Sequence, residues 1–139
     1  MNTLDCCTKQ VEYVSPDTSL TDISRRMRES DCGSILIGEN DKLVGVVTDR
    51  DIVVRFLAER GDASQATAND VMTNKVLYCF QSDSPEDVLK NMAENKVKRM
   101  PVMDESKNLV GIVSFGDLSA ACDDKELAGE AMKEIRRAA

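Results

Sequence analysis

The sequence predicts a mixed α/β (α+β) fold in which two β-α-β-β-α repeats pack about a pseudo-two-fold axis and a C-terminal helix follows. An internal repeat supports this prediction, because the same residue patterns recur at a nearly constant offset along the chain. Apolar runs of strand length also alternate with stretches of helical periodicity. Each repeat spans only about 60 residues, a size at which one core is marginal, so we expect the two copies to pack sheet to sheet.

The two copies align in two blocks. In the first block, Asp5–Thr8 matches Asp70–Thr73. After a single insertion in the second copy, Leu43–Thr48 matches Leu109–Ser114. Between the copies, Gly61–Asn69 is rich in small residues and begins with a glycine typical of a helix stop. The predicted organisation is one paired module with repeat one at 1–62, a linker at 63–68, repeat two at 69–122 and a C-terminal helix at 123–139.

Each copy opens with a short apolar run that predicts a strand, Val11–Val14 in the first and Val76–Phe80 in the second. A helix with a capping serine and a carboxylate in its first turn follows, at Leu20–Glu29 and Pro85–Asn95. Two strands joined by a polar turn come next in each copy. These strands are predicted at Ile35–Ile37, Leu43–Thr48, Pro101–Met103 and Leu109–Ser114.

A second helix closes each copy, and in the first copy it is predicted at Asp49–Glu59. Its apolar face is expected to contain Ile52, Val53, Phe56 and Leu57. The C-terminal stretch has no counterpart in the repeat, but Leu127, Ala131 and Ile135 are spaced as on one helix face. We therefore predict a further helix at Asp124–Arg137 that either docks on the module or mediates contact within a homodimer.

Composition excludes several classes of protein. A net charge of −7 and a pI near 4.6 oppose the phosphate-neutralising surface that nucleic-acid binding needs. No apolar run approaches the roughly 18 residues of a membrane span, and the N-terminus does not resemble a signal peptide, so a cytoplasmic location is expected. The five cysteines form no Cys-x-x-Cys pair and the chain has no histidine, so we expect neither a zinc site nor a disulfide framework.

One motif recurs where the last strand of each copy meets the last helix. It is a hydroxyl followed three positions later by a carboxylate, Thr48 with Asp51 and Ser114 with Asp117. One interpretation is a helix N-cap, in which the hydroxyl accepts a backbone N–H. The other is a ligand site, in which the helix N-terminus and hydroxyl meet a phosphate while the acid accepts bonds from two ribose hydroxyls. Both interpretations can hold together.

These features together resemble the tandem CBS-domain family, whose paired form is also called a Bateman module. The resemblance covers about residues 3–122 and rests on three features. They are the openings Asp5–Thr8 and Asp70–Thr73, the Lys98–Val102 strand, and the Gly-x-x-(Thr/Ser)-x-x-Asp endings. The resemblance implies a pseudo-symmetric pair of repeats that binds AMP, ADP, ATP or a related adenosyl ligand in clefts between the repeats, with Mg²⁺ as an accompanying ion in some cases.

The resemblance also implies roles for individual residues. Asp51 and Asp117 would hold the riboses, and Thr48 and Ser114 would meet phosphate. The strand residues expected to wall the adenines are Ile35, Leu36, Ile37, Met100, Pro101 and Val102. The residues expected to line the first base pocket are Val14, Ser15 and Pro16.

Positive charge is predicted to differ between the two sites. Lys98 and Arg99 in the second copy correspond to Gly33 and Ser34 in the first, so phosphate should favour the second site. Two further arginines, Arg50 and Arg55, are phosphate candidates. Arginines on an acidic protein's helix more often form solvated pairs worth no more than about 1 kcal/mol.

The sequence therefore predicts a non-catalytic regulatory sensor of adenine nucleotides, which shifts between arrangements and signals to a protein partner outside this chain. A homodimer is expected. The alternatives are a structural or dimerising module with empty clefts, and a magnesium-responsive pair without nucleotide. An enzyme is disfavoured, because the chain has no histidine, no cysteine–base pair and no Walker-type glycine loop.

Overall fold

The computed structural model describes residues 2–9 and 11–136. Within these residues the chain forms two three-stranded sheets, seven α-helices and one π-helix, which confirms the mixed α+β fold class. No helix in this part of the chain is long and apolar enough to cross a bilayer. In chain order the elements are α1 (Thr3–Cys6), β1 (Tyr13–Val14), α2 (Leu20–Ser30), β2 (Ser34–Glu39), β3 (Lys42–Thr48), the π-helix (Asp51–Leu57), α3 (Ala58–Arg60), α4 (Ala68–Val71), β4 (Cys79–Phe80), α5 (Pro85–Asn95), β5 (Arg99–Met103), β6 (Leu109–Ser114), α6 (Phe115–Ala121) and α7 (Lys125–Arg136).

The chain divides into two compact units. The first unit is Glu12–Val76, and the second unit is Met1–Val11 together with Leu77–Ala139. These units differ from the sequence repeats at their edges, because the opening segment of each repeat packs in the unit built on the other repeat. Thr73 makes an antiparallel bridge to Val46 in the first unit. The corresponding Thr8 makes one to Ile112 in the second unit. The repeat boundaries at 1–62 and 69–122 remain a prediction about the duplicated sequence.

In the first unit, the strands lie in the order β1-β2-β3, with β1 parallel to β2 and β2 antiparallel to β3. Helix α2 begins after Ser19, whose Oγ accepts the Asp22 backbone N–H at 3.1 Å. Its apolar stripe packs on the sheet, as the spacing predicted. The core side chains that are at most 1% exposed on α2 and the sheet are Leu20, Ile23, Ile37 and Val47.

The second unit repeats this arrangement with strands β4-β5-β6 and helix α5. Helix α5 begins after Ser84, which caps the Asp87 backbone N–H at 3.2 Å. The C-terminal helix α7 packs on α5 and buries Ala131 and Ile135, and Ile135 belongs to the core. The predicted helix therefore docks within this unit. Its expected last residue, Arg137, lies outside the described residues.

The helix predicted at Asp49–Glu59 is not a continuous α-helix. From Asp51 to Leu57 the chain is wound as a π-helix, a rare form that occurs mostly as short segments and often at functional sites. The wider turn splits the expected apolar face. Ile52 and Phe56 stay buried in the core, whereas Val53 is 58% exposed and Leu57 is 36% exposed.

Candidate functional site

The first unit forms a corner where β3 ends at Thr48 and the next helix begins. The Thr48 Oγ1 accepts a hydrogen bond from the Asp51 backbone N–H at 3.0 Å. In return, Asp51 Oδ2 accepts the Thr48 backbone N–H, also at 3.0 Å. This reciprocal pair satisfies two backbone donors at the helix start and fixes the position of the hydroxyl and the carboxylate.

The second unit forms the same corner between β6 and α6. Ser114 Oγ accepts the Asp117 backbone N–H at 3.1 Å, and Asp117 Oδ2 accepts the Ser114 backbone N–H at 3.1 Å. Both corners therefore act as helix caps. Each carboxylate oxygen has about two acceptor sites, so capping leaves acceptor capacity on both acids.

The two corners differ at the second carboxylate oxygen. Asp51 Oδ1 accepts a hydrogen bond from Arg55 Nη1 at 2.8 Å, and the two side chains form an ion pair. The same nitrogen donates to Thr73 Oγ1 at 3.2 Å. No hydrogen bond or ion pair to Asp117 Oδ1 comes from residues 2–9 or 11–136. The sequence identifies Arg55 as a phosphate candidate, and its i,i+4 spacing from Asp51 permits this pair without distinguishing it from other pairs at that spacing.

Two glycines let the opening segments lie directly against the last strands. A Cβ at Gly45 would lie 2.9 Å from the Thr73 carbonyl oxygen, and a Cβ at Gly111 would lie 2.9 Å from the Thr8 carbonyl oxygen. At Gly111 it would also lie 2.6 Å from the Cys7 Sγ. Only glycine permits this approach, and in the first unit it holds Thr73 within reach of the corner.

Only some of the residues predicted to wall the adenines have side chains that a ligand could contact. Strand side chains alternate between the two faces of a sheet, so neighbouring wall residues point in opposite directions. Leu36 is half-buried and Pro101 is buried. Both alternate with core-facing residues along their strands, so their side chains lie on the face of the sheet away from the core. The remaining wall residues lie in the cores or pack against them, and these are Ile35, Ile37, Met100 and Val102.

The segment predicted to line the first base pocket follows β1. Val14 is a core residue with 7% exposure. Ser15 is exposed and its Oγ lies 3.2 Å from the Thr18 Oγ1. The Pro16 carbonyl oxygen accepts the Asn69 backbone N–H at 3.0 Å. Ser15 and Pro16 therefore retain surface that a ligand could contact, whereas Val14 does not.

Positive charge lies at the second corner. The β5–β6 register places Arg99 directly opposite Ser114, so their side chains share one face of the sheet. Lys98 precedes Arg99, and both side chains are exposed. The Lys98 carbonyl oxygen accepts the Phe115 backbone N–H at 2.7 Å, which fixes the approach of this segment to the corner.

The positions of the first corner that correspond to these two cations are uncharged. Ser34 is the residue opposite Thr48 in the β2–β3 register. The Asp49 carboxylate lies against Gly33, where a Cβ would be 3.0 Å from its Oδ2. Arg50 is exposed, and its backbone N–H donates to Asp49 Oδ1 at 2.8 Å. The first corner thus has no counterpart of the two cations of the second corner, and both an acid, Asp49, and an arginine, Arg50, lie beside it.

A cavity of about 380 Å³ lies elsewhere in the first unit, between α2 and the π-helix. Among the residues that the structure describes, its lining includes none of the predicted ligand residues. The lining residues are Leu20, Thr21, Ser24, Arg25, Arg28, Ile52, Leu57 and Ala63. Because residues that the sequence predicts to bind a ligand lie together at the strand-to-helix corners, we take the corners as the candidate sites.

Three of the five cysteines, Cys6, Cys7 and Cys79, are poorly suited to thiolate chemistry. Burial raises the pKa of the Cys6 and Cys7 thiols above the usual value. Burial also raises the pKa of Cys79 to about 12. A thiol with a raised pKa carries little thiolate at neutral pH, so these side chains act mainly through packing.

Comparison with known proteins identifies the family. The CBS domain family matches residues 4–58 and 68–124. The CBS domain-containing protein YhcV of Bacillus subtilis is 35% identical over 131 residues, which cover 94% of this chain and 92% of that protein. Hypoxic response protein 1 of Mycobacterium tuberculosis is 38% identical over 110 residues, covering 78% of this chain and 76% of that protein.

Solved structures agree with this assignment. The crystal structure of Hypoxic Response Protein I with two coordinated zinc ions matches with a TM-score of 0.78 and 35% identity, over 88% of this chain and 99% of that chain. The crystal structure of CBSX2 in complex with AMP matches with a TM-score of 0.72 and 26% identity, over 86% of this chain and 94% of that chain. The CBSX2 protein is from Arabidopsis thaliana. The chain therefore belongs to the CBS domain family and carries two CBS repeats in tandem.

Proposed function

We propose that this protein is a non-catalytic regulatory module that senses an adenine nucleotide, AMP, ADP or ATP, or a related adenosyl ligand. The observation that carries the proposal is the repeated corner, in which Thr48 with Asp51 and Ser114 with Asp117 are held in the same reciprocal geometry. The relative CBSX2, 26% identical, has been crystallised in complex with AMP, which supports an adenosyl ligand here.

In this proposal each acid receives a ribose. The two neighbouring hydroxyls of a ribose are donors, and a carboxylate can accept both at once. Because the cap uses only part of the acceptor capacity of Asp51 and Asp117, ribose binding need not break the cap. The base then packs beside Leu36 in the first unit and Pro101 in the second, the wall residues on the faces away from the cores.

The phosphate is expected to prefer the second corner. Arg99 lies across the strand pair from Ser114, and Lys98 adjoins it, so two cations are available to an anionic group. The first corner has the uncharged Gly33 and Ser34 at the corresponding positions, so it offers no matching pair of cations. A nucleotide should therefore bind the second corner more tightly than the first, while the nucleoside adenosine should discriminate less by charge.

Binding becomes regulatory if the ligand favours one arrangement of the protein over another, since a ligand shifts an equilibrium only by its difference in affinity for the two states. The proposal includes a homodimer in the cytoplasm and a protein partner that reads this shift. Catalysis is not part of it, because the chain lacks histidine and neither corner pairs a nucleophile with a base.

Zinc, which is coordinated in the solved structure of Hypoxic Response Protein I, is not proposed for this chain. Histidine is absent from the sequence. Within the described residues no group of three or more Cys, Asp or Glu side chains lies close enough to hold a metal ion. The residues present therefore do not fit a zinc site.

A thermal-shift panel tests the proposal. The full chain is heated with AMP, ADP, ATP, adenosine and, as controls, GMP and MgCl₂ alone. A ligand at 100 times its dissociation constant should stabilise the folded state by about 2.7 kcal/mol. We expect stabilisation by the adenosine compounds and not by MgCl₂ alone. Stabilisation by MgCl₂ alone would favour the magnesium-responsive alternative. If none of the compounds stabilised the protein, the structural alternative would be favoured.

A further inference from the structure

We infer that Arg55 competes with the ligand for Asp51 in the first corner, and we call this Arg55–Asp51 ion pair the latch. The first corner is therefore latched in the free protein, whereas the second corner, which has no such arginine, is open. This inference rests on the proposed function, since it assumes that Asp51 receives a ribose. It goes further by assigning a role to a residue outside the strand-to-helix motif, and by predicting which of the two sites has the lower intrinsic affinity.

Both oxygens of the Asp51 carboxylate are engaged. Oδ2 accepts the Thr48 backbone N–H at 3.0 Å, and Oδ1 accepts Arg55 Nη1 at 2.8 Å. A ribose that donates two hydroxyls to this carboxylate needs Oδ1, and the guanidinium already occupies one of the two acceptor sites of that oxygen. The Asp51 side chain is only 11% exposed, so little other acceptor surface is available to a ligand.

The guanidinium is held by a second contact. Arg55 Nη1 donates to Thr73 Oγ1 at 3.2 Å. Thr73 is fixed in turn, because its backbone N–H donates to the Val46 carbonyl oxygen at 2.9 Å and its own carbonyl oxygen lies close against Gly45. The arginine therefore bridges an acid and a hydroxyl that belong to two different segments of the first unit.

The second unit lacks this cation. In the repeat alignment that matches Asp51 with Asp117, the counterpart of Arg55 is Ala121. The counterpart of Thr73 is Thr8, which keeps the same type of bridge to β6. The backbone arrangement and the hydroxyl are thus common to both units. The difference between a latched and an open corner depends on one side chain.

The latch is expected to be weak enough to open. The Arg55 side chain is 60% exposed, so it can leave Asp51 for water. Ion pairs of this kind are modest, so a ligand that displaces the arginine should lose about three- to tenfold in apparent affinity relative to an open corner. Salt also weakens this ion pair through its exposed partner, Arg55. A neutral ligand should therefore bind the first corner more tightly as the salt concentration rises.

The test uses adenosine, which has no phosphate that an arginine could attract, and isothermal titration calorimetry of the full chain. The Asp117→Asn variant disables the second corner, so that binding reports the first corner alone. In this background Arg55→Ala should tighten adenosine binding by about three- to tenfold. Arg55→Lys, which keeps the positive charge, should restore most of the weaker binding. Added NaCl should tighten binding to the Arg55 protein and leave the Arg55→Ala protein unchanged.

Arg25→Ala is the matched control. Arg25 pairs with Asp22 on α2 at 3.4 Å, and its side chain is 62% exposed, close to the exposure of Arg55. Arg25→Ala changes the net charge of the protein by the same amount as Arg55→Ala, and it removes no contact at either corner. Adenosine binding in the Asp117→Asn background should not change.

The following results would overturn the latch. Unchanged or weaker adenosine binding in Arg55→Ala would show that the arginine does not compete with ribose. Weaker binding of AMP together with unchanged adenosine binding would show that it contacts phosphate instead. The proposed function is tested separately in the Asp51→Asn background, where only the second corner remains. If adenosine bound the second corner in this background but did not bind the first corner, even in Arg55→Ala, the latch alone would be rejected. If adenosine bound neither corner, both the latch and the proposed function would be rejected.

Discussion

Arg99 lies directly across β5 and β6 from Ser114, so the guanidinium and the corner hydroxyl rise from the same face of one sheet. The equivalent pair in the first unit is Ser34 with Thr48, which has no charge. This relationship gives the two corners different electrostatics although their caps have the same geometry. It leads to the first of five predictions.

Arg99→Ala should weaken AMP binding by about 1.5 to 3 kcal/mol, the range for a hydrogen bond to a charged group, and should change adenosine binding little. The reason is that only AMP has a phosphate within reach of the guanidinium. Calorimetry with both ligands measures the difference. Lys90→Ala, which removes an exposed cation from α5, is the control and should leave both affinities unchanged. Equal losses for AMP and adenosine would mean that Arg99 supports the fold of the corner and not the phosphate.

Gly111→Ala should destabilise the protein, because the new methyl group would lie 2.6 Å from the Cys7 Sγ and 2.9 Å from the Thr8 carbonyl oxygen. Overpacking of this kind costs about 1 to 3 kcal/mol. Urea denaturation measures the loss. Gly129→Ala is the matched control, because a Cβ there meets open space within α7. It should stabilise the protein by about 0.5 to 1 kcal/mol, since alanine is the better helix former.

Ile135→Ala should lower the free energy of unfolding by about 2 to 5 kcal/mol, the usual range for truncating a buried isoleucine. Ile135 is 4% exposed and belongs to the core that α5 and the second sheet form. Lys133→Ala, on the exposed side of α7, should have little effect. A loss below about 0.5 kcal/mol for Ile135→Ala would mean that α7 is a loosely attached appendage.

Stability should fall in alkaline solution through Cys79. Burial raises the pKa of this thiol from 9.0 to about 12, so the folded state keeps a proton that the unfolded state releases first. The contribution to stability is present below pH 9 and is lost as the pH rises toward about 12. Urea denaturation of the parent and of Cys79→Ala at pH 8 and pH 10.5 isolates the effect. The gap in stability between the two proteins should narrow at the higher pH, and an unchanged gap would contradict the prediction.

Much of the fold could be predicted from short-range patterns. The serine caps at Ser19 and Ser84 located the starts of α2 and α5, because a capping hydroxyl three positions before a carboxylate specifies where a helix begins. The strand from Leu109 to Ser114 was also predicted at its observed bounds. In each case the deciding interactions lie within a few residues along the chain.

Features that depend on distant contacts could not be predicted in this way. The π-helical winding from Asp51 to Leu57 leaves no signal in the periodicity of the sequence, which equally fits an α-helix. The bridge from Thr73 to Val46 joins segments that are far apart in sequence, and the repeat alone did not indicate that each opening packs with the other repeat. The pattern also could not distinguish the core-facing Met100 and Val102 from Pro101, because all three are apolar.

The local geometry of the two corners was predicted more completely than their surroundings. The motif located both caps, since Thr48, Asp51, Ser114 and Asp117 occupy the same local geometry twice. It did not identify Arg55 as the partner of Asp51. A salt bridge at i,i+4 is common on helices, and the sequence alone does not indicate which of these pairs includes a buried acid.

Calorimetric titration of AMP into Asp117→Asn tests the central claim most directly, with Asp87→Asn as its control. Asp87 follows Ser84 at the same spacing and stands in the first turn of α5, but it lies outside both corners. Asn retains an oxygen that can accept the Ser114 backbone N–H, so the helix cap and the fold should survive. If Asp117 holds a ribose, the tighter AMP binding event should weaken by about 10- to 100-fold in Asp117→Asn and stay unchanged in Asp87→Asn. Equal AMP affinity in the parent and in both variants would contradict the assignment of the corner as a nucleotide site.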